Sequence, residues 1–221
     1  ISMKSTYSAV KENFNATVTN SSEVVSNIIA ATAMEFSSGN SEYTLTVNLT
    51  GNISLGDSEN IELGTGAKLA YSEDAAKIVG NGGFKADEED GRYIYGSFAT
   101  AAKNDEDGTV ELLNNYRGSA AINWSSNTAT LDLQGHTYEY TGTGASSAAI
   151  QMNTNSDQSG NEDASASLTI KSGKIVSAAD GAIVLCSNNS LTLDDVDLIV
   201  YGSDYGIVSN GTYQNNNLTL Q

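Results

Sequence analysis

Thr130-Leu131-Asp132-Leu133 returns as Ser167-Leu168-Thr169-Ile170, again as Ser190-Leu191-Thr192-Leu193, and again as Asn217-Leu218-Thr219-Leu220. Each phrase carries two branched apolar residues at alternate positions, the pattern of a short strand with one buried face. The step from Leu168 to Leu191 is 23 residues and from Leu191 to Leu218 it is 27. The first step, Leu131 to Leu168, is 37, with the excess in a polar insertion, Thr154 to Ala164. A second register advances alongside: Ala149-Ile150, Ala182-Ile183 and Gly206-Ile207. Two registers climbing together predict stacked coils, a solenoid of parallel strands.

Upstream the signals are more mixed. Residues 1 to 19 are polar, with Tyr7, Val10, Phe14 and Val18 as apolar points. Asn20 with Glu23 reads as a capping box, and Val24, Val25, Ile28, Ile29, Thr32 and Phe36 form one stripe, which predicts a helix over 21–36. Period 2 follows at Leu45-Val47-Leu49, at Ile53-Leu55 and at Ile61-Leu63, and Lys77-Ile78-Val79-Gly80 reads as a further short strand. Asp87-Glu88-Glu89-Asp90-Gly91 has the look of a solvated connector. It suggests two domains: 1–88, a helix with strands and a partial coil, and 89–221, a coil preceded by a short helix capped at Ser97. Such a helix covers the apolar end and open edge of a first coil.

The chain has no proline, and glycine and asparagine supply the turns. Asn153, Asn188, Asn189 and Asn210 follow the second-register strands, where stacked asparagines would bond up one corner. Cys186, the single cysteine, excludes an intrachain disulfide and lies in an apolar run that suits a buried thiol. The chain closes inside an expected strand at Leu220-Gln221, so further sequence or a neighbouring subunit is expected to continue the coil.

With 27 acidic and 10 basic residues the net charge is −17, which argues against nucleic acid as a partner. No apolar run approaches the roughly 20 residues that span a bilayer, so no membrane insertion is expected.

Phe98-Ala99-Thr100-Ala101-Ala102, Asp107-Gly108-Thr109-Val110-Glu111-Leu112-Leu113 and Thr130-Leu131-Asp132-Leu133-Gln134-Gly135-His136-Thr137 resemble a β-helix module of large microbial cell-surface proteins. The resemblance covers the run from Tyr93 onward well and the first part of the chain loosely. It implies an all-β fold, a right-handed parallel β-helix similar to the pectate-lyase type with short capping α-helices, on a secreted or wall-attached protein. It also implies that His136 is a turn residue.

Several residues are candidates for chemistry. Asp195 and Asp197, alternate in one strand, would hold a cation such as calcium or act as an acid/base pair, although Val196 and Leu198 between them fit a plain half-buried strand. No cofactor is otherwise expected. A lyase would need a basic residue as well, and only Arg92, Arg117, Lys171 and Lys174 follow residue 88 apart from Lys103. Trp124, Tyr138, Tyr140, Tyr201 and Tyr205 are candidates for a sugar-stacking face, or equally for packing between coils. Sequons stand at Asn15, Asn20, Asn48, Asn52, Asn123, Asn188, Asn210 and Asn217, of which Asn48, Asn52, Asn123, Asn188 and Asn210 are the glycosylation candidates. Asn104-Asp105-Glu106-Asp107-Gly108 has calcium-like composition without calcium-loop spacing and is expected to be a turn.

The expectation is a non-catalytic extracellular surface module. It would be structural and self-assembling, or adhesive, with other copies of itself or surface glycans as partners. The alternative is a polysaccharide lyase or glycoside hydrolase.

Overall fold

A computed structural model of the chain describes residues 3–4, 14–20, 34–37, 44–51, 61–64, 66–125, 127–143, 147–152, 165–178, 181–186, 188–202, 205–210 and 215–221. The protein is all-β, with two short helices among the described residues. It divides into two compact units, Ile1–Glu106 and Asp107–Gln221.

In the first unit the chain alternates between two sheets. Strands β1 (Met3–Lys4), β3 (Met34–Ser37) and β5 (Ile61–Leu63) pair in parallel in one. Strands β2 (Phe14–Asn20), β4 (Leu45–Gly51) and β6 (Ala67–Ala70) pair in parallel in the other. Leu45, Val47, Ala67 and Leu69 are buried while Thr46 and Lys68 between them are not, the alternation a one-sided strand demands.

The helix expected over 21–36 is corrected at its C-terminal end. Asn20 is the last residue of β2, and Met34 to Phe36, expected to be helical, lie in β3; residues 21–33 fall outside the described residues. Met34 and Phe36 face Ile61 and Leu63 across the ladder, so their spacing of two belongs to a strand, although Phe36 also fits a helical stripe. Ile53 and Leu55 also fall outside the described residues.

A helix stands instead at α1 (Glu73–Ile78), where Lys77 and Ile78 had read as strand. Ser72 caps it, its side chain accepting from the Ala75 N–H at 3.1 Å, and acidic Glu73 and Asp74 suit the first turn. Ala75 and Val79, four residues apart, are buried. The supposed connector 87–91 is a tight turn: β7 (Phe84–Glu88) and β8 (Gly91–Tyr95) form an antiparallel hairpin with Glu88 opposite Gly91. Strand β8 also pairs antiparallel with β6. Helix α2 (Phe98–Asn104), capped by Ser97 as expected, belongs to the first compact unit, which ends at Glu106. Phe98 packs edge-on against Phe84, ring centroids 6.3 Å apart, inside the first unit.

Among the described residues of the second unit every strand pair is parallel. One sheet takes β9 (Thr109–Leu112), β10 (Tyr116–Gly118), β12 (Thr128–Asp132), β13 (Thr137–Tyr140), β15 (Ala166–Ser177), β17 (Asn189–Val200) and β19 (Asn217–Leu220). The other takes β11 (Ile122–Trp124), β14 (Ala148–Met152), β16 (Gly181–Cys186) and β18 (Ile207–Asn210). The first half of β15 pairs with β12 and its second half with β13. Leu168 stands opposite Leu191 and Leu191 opposite Leu218; Ile150, Ile183 and Ile207 make the matching column in the second sheet.

One register differs from the sequence reading. Leu131 lies opposite Ile170, and Ala129 opposite Leu168, a slip of two residues. A two-residue slip leaves every side chain on its own face, so apolar alternation is blind to it. The observed register brings Asp132 opposite Lys171, whose Nζ lies 3.2 Å from Asp132 Oδ2. Val110, Leu131, Ile170 and Leu193 then form one buried column, each worth roughly 1.5–3 kcal/mol of burial. The insertion at 154–164 and the side chain of Cys186 lie outside what is described.

Candidate functional site

Among the described residues three places gather polar side chains. The first is a corner of the second unit. Asn189, fully buried, accepts from the Ala166 N–H through Oδ1 at 3.2 Å and donates from Nδ2 to the Met152 carbonyl at 3.4 Å. Asn216 repeats the arrangement one row on: its Oδ1 accepts from the Asn189 N–H at 3.0 Å and its Nδ2 donates to the Leu185 carbonyl at 3.3 Å. Met152 and Leu185 are themselves opposite each other. Each amide thus binds one backbone group from either sheet, satisfying atoms that burial would otherwise leave unpaired. The ladder expected among Asn153, Asn188, Asn189 and Asn210 therefore runs through Asn189 and Asn216. Asn153 is outside the described residues, as is the side chain of Asn210. The missed member, Asn216, was legible from the 27-residue step that relates Leu191 to Leu218 and Asn189 to Asn216 alike.

The aromatic candidates are largely withdrawn into packing, the second of the two roles that the sequence left open to them. Trp124, 5% exposed, donates from Nε1 to the Asn127 carbonyl at 3.3 Å. Tyr138 stacks on Tyr116, centroids 4.3 Å apart, and donates to the Ala120 carbonyl at 2.7 Å. Burial, with the neighbouring Tyr116 phenol, raises the Tyr138 hydroxyl well above its usual pKa. Tyr140 is buried against Gly142, and Tyr205 packs on Ala148 and Val184 over Gly181. A side chain in place of either glycine would collide with the tyrosine ring. Of the five, Tyr201 alone is largely exposed, at 74%.

The second place is a bend on the side of the second unit. Gln134, Ser172 and Asp195 have left-handed backbone, φ of 52°, 59° and 53°, and so does Gly135. Ser172 and Asp195 occupy equivalent positions, flanked by the pairs Lys171–Asp194 and Gly173–Val196. The rows turn together here, over a cleft of about 410 Å³ lined by Thr137, Ser172, Lys174, Asp195 and Asp197 with two glycines. Gly173 must lack a side chain, since a Cβ would stand 2.6 Å from Leu133 Cβ and 2.7 Å from the His136 carbonyl. His136 takes part through its backbone, donating to the Leu133 carbonyl at 2.7 Å and accepting from the Lys174 N–H at 3.1 Å.

So the structure does bring Asp195 and Asp197 to one cleft, opposite Lys174. Both carboxylates are exposed, and among the described residues no group of three His, Cys, Asp or Glu is placed to hold a metal. Of the other bases, Arg117 pairs with Glu139 at 2.9 Å and Lys171 with Asp132. Arg92 stands 5.2 Å from the Tyr71 ring. The cleft places two carboxylates and one ammonium side by side.

The third place lies in the first unit. Lys68 Nζ is 2.8 Å from Glu88 Oε2, with side chains 13% and 15% exposed, and sits 3.6 Å over the Tyr93 ring. The Tyr95 hydroxyl donates to the other Glu88 oxygen. Desolvation raises the Tyr95 phenol strongly, and Glu88 adds to it. Desolvation, then Asp90, raises Tyr93 as well. Lys68 and Tyr95 line a cavity of about 470 Å³ together with Ser97, Thr100 and Asn104. The Ser97 and Thr100 hydroxyls bond to each other at 2.8 Å, and the Asn104 amide donates to the Thr100 carbonyl at 2.8 Å. Nothing in the sequence pointed here, because the antiparallel pairing of β6 with β8 that joins these residues has no counterpart in the parallel pattern.

The acidic stretch 104–108 behaves as a turn. The Asp105 N–H closes α2 on the Ala101 carbonyl at 2.9 Å, its carboxylate accepts from the Asp87 N–H at 2.9 Å, and Asp107 accepts from the Thr109 N–H at 2.8 Å. Among the sequons Asn15, Asn123 and Asn217 are exposed, Asn48 and Asn188 half-buried, and Asn52 lies outside the described residues.

No family model matches the chain, and neither does any curated protein or solved structure.

Proposed function

We propose that the second unit is a right-handed parallel β-helix and that the protein is a non-catalytic surface module, exported from the cell, whose work is structural. The observation that carries this is the corner ladder of Asn189 and Asn216 beside the Leu168–Leu191–Leu218 column. Rows that spend their buried polar groups on each other make a stiff, extendable scaffold. Self-assembly through row edges extends the reading. Strands β18 and β19 are edge strands among the described residues, and Ile207 and Leu220 on them are 45% and 66% exposed. A further row, from a neighbouring copy or from adjoining sequence, would bury both. Electron microscopy with sizing of the purified chain tests this; polymers are expected, and a monodisperse monomer at every concentration would count against assembly.

The bend cleft favours a second reading, adhesion to surface glycans through Asp195, Asp197 and Lys174, with calcium as an accessory ion. A glycan array read with and without chelator separates it from the first, since silence on every glycan removes it. Release of unsaturated ends from polyuronates would instead revive the lyase alternative.

A further inference from the structure

We draw no further inference here: the strongest candidate, the lateral cleft of the second unit where Thr137, Ser172 and Lys174 meet Asp195 and Asp197, rests on an exposed pair of carboxylates with no second observation that points to a ligand.

Discussion

The two units join their short strands by different chemistry. Among the described residues of the second unit all strand pairs are parallel, Leu168 stands opposite Leu191 and Leu191 opposite Leu218, and the buried polar groups at the corner are amides that bond to the backbone of the preceding row. The first unit begins in the same parallel manner with β2, β4 and β6, then turns back on itself through the antiparallel β7–β8 hairpin. There the polar contacts are charged: Lys68, Glu88 and Tyr95 tie β6, β7 and β8 together. A neutral amide ladder responds little to salt or pH, whereas a carboxylate shared by an ammonium and a phenol responds to both. The difference teaches that a parallel repeat can be held by neutral amides bonded to backbone, whereas the reversal at β6–β8 is joined by a specific charged group.

The largest expected effect comes from the apolar column. Ile170→Ala, between Leu131 and Leu193, should destabilise the second unit by about 4 kcal/mol. Native-state hydrogen exchange should show the loss in amides of β12, β15 and β17, with those of β6 and β8 unchanged; an equal loss in both units would undo the contrast. Next is Asn189→Ala, which strands the Ala166 N–H and the Met152 carbonyl and should cost about 3 kcal/mol. That cost should be the same at low and high salt, and strong salt dependence would show that the corner is not held as described.

The first unit should answer differently. Glu88→Gln keeps an acceptor but leaves Lys68 without its counter-charge, at a cost of about 2 kcal/mol. Its tyrosines make it sensitive to alkali. The folded pKa of Tyr95 lies above its ordinary value, so its contribution is complete below the unfolded pKa of about 10 and is lost as pH rises further. Tyr95→Phe should therefore flatten the alkaline fall in stability of β6 and β8 amides, an effect that a merely space-filling ring would not show. Smallest of all, Asp195→Asn with Asp197→Asn, at exposed positions, should move stability by no more than about 0.5 kcal/mol. A drop of several kcal/mol would make these residues part of the scaffold instead of its surface.

Much of the second unit was legible because its strands carry period-2 alternation and its rows recur at readable steps. The slip at Leu131 was not, since alternation cannot tell one register from another two residues away; the Asp132–Lys171 pair was the clue. In the first unit Ser72 followed by Glu73 and Asp74 announced a helix that the apolar pair Ile78-Val79 disguised as a strand. The aromatic residues kept two readings open because sequence does not say which face of a strand is inside. Tyr116 and Tyr140 each precede a glycine by two residues, and that spacing marks rings lying over backbone. Asp195 and Asp197 were correctly read as neighbours in one strand, while the left-handed bend at Asp195 that opens their cleft has no signature in composition.

Inter-strand nuclear Overhauser contacts among assigned residues of the second unit test the central claim most directly. Stacked parallel rows predict contacts of Leu168 with Leu191, Leu191 with Leu218, and Leu131 with Ile170, and none between Leu168 and Leu218. Close Hα–Hα contacts diagnostic of antiparallel neighbours along β15 and β17 would contradict it.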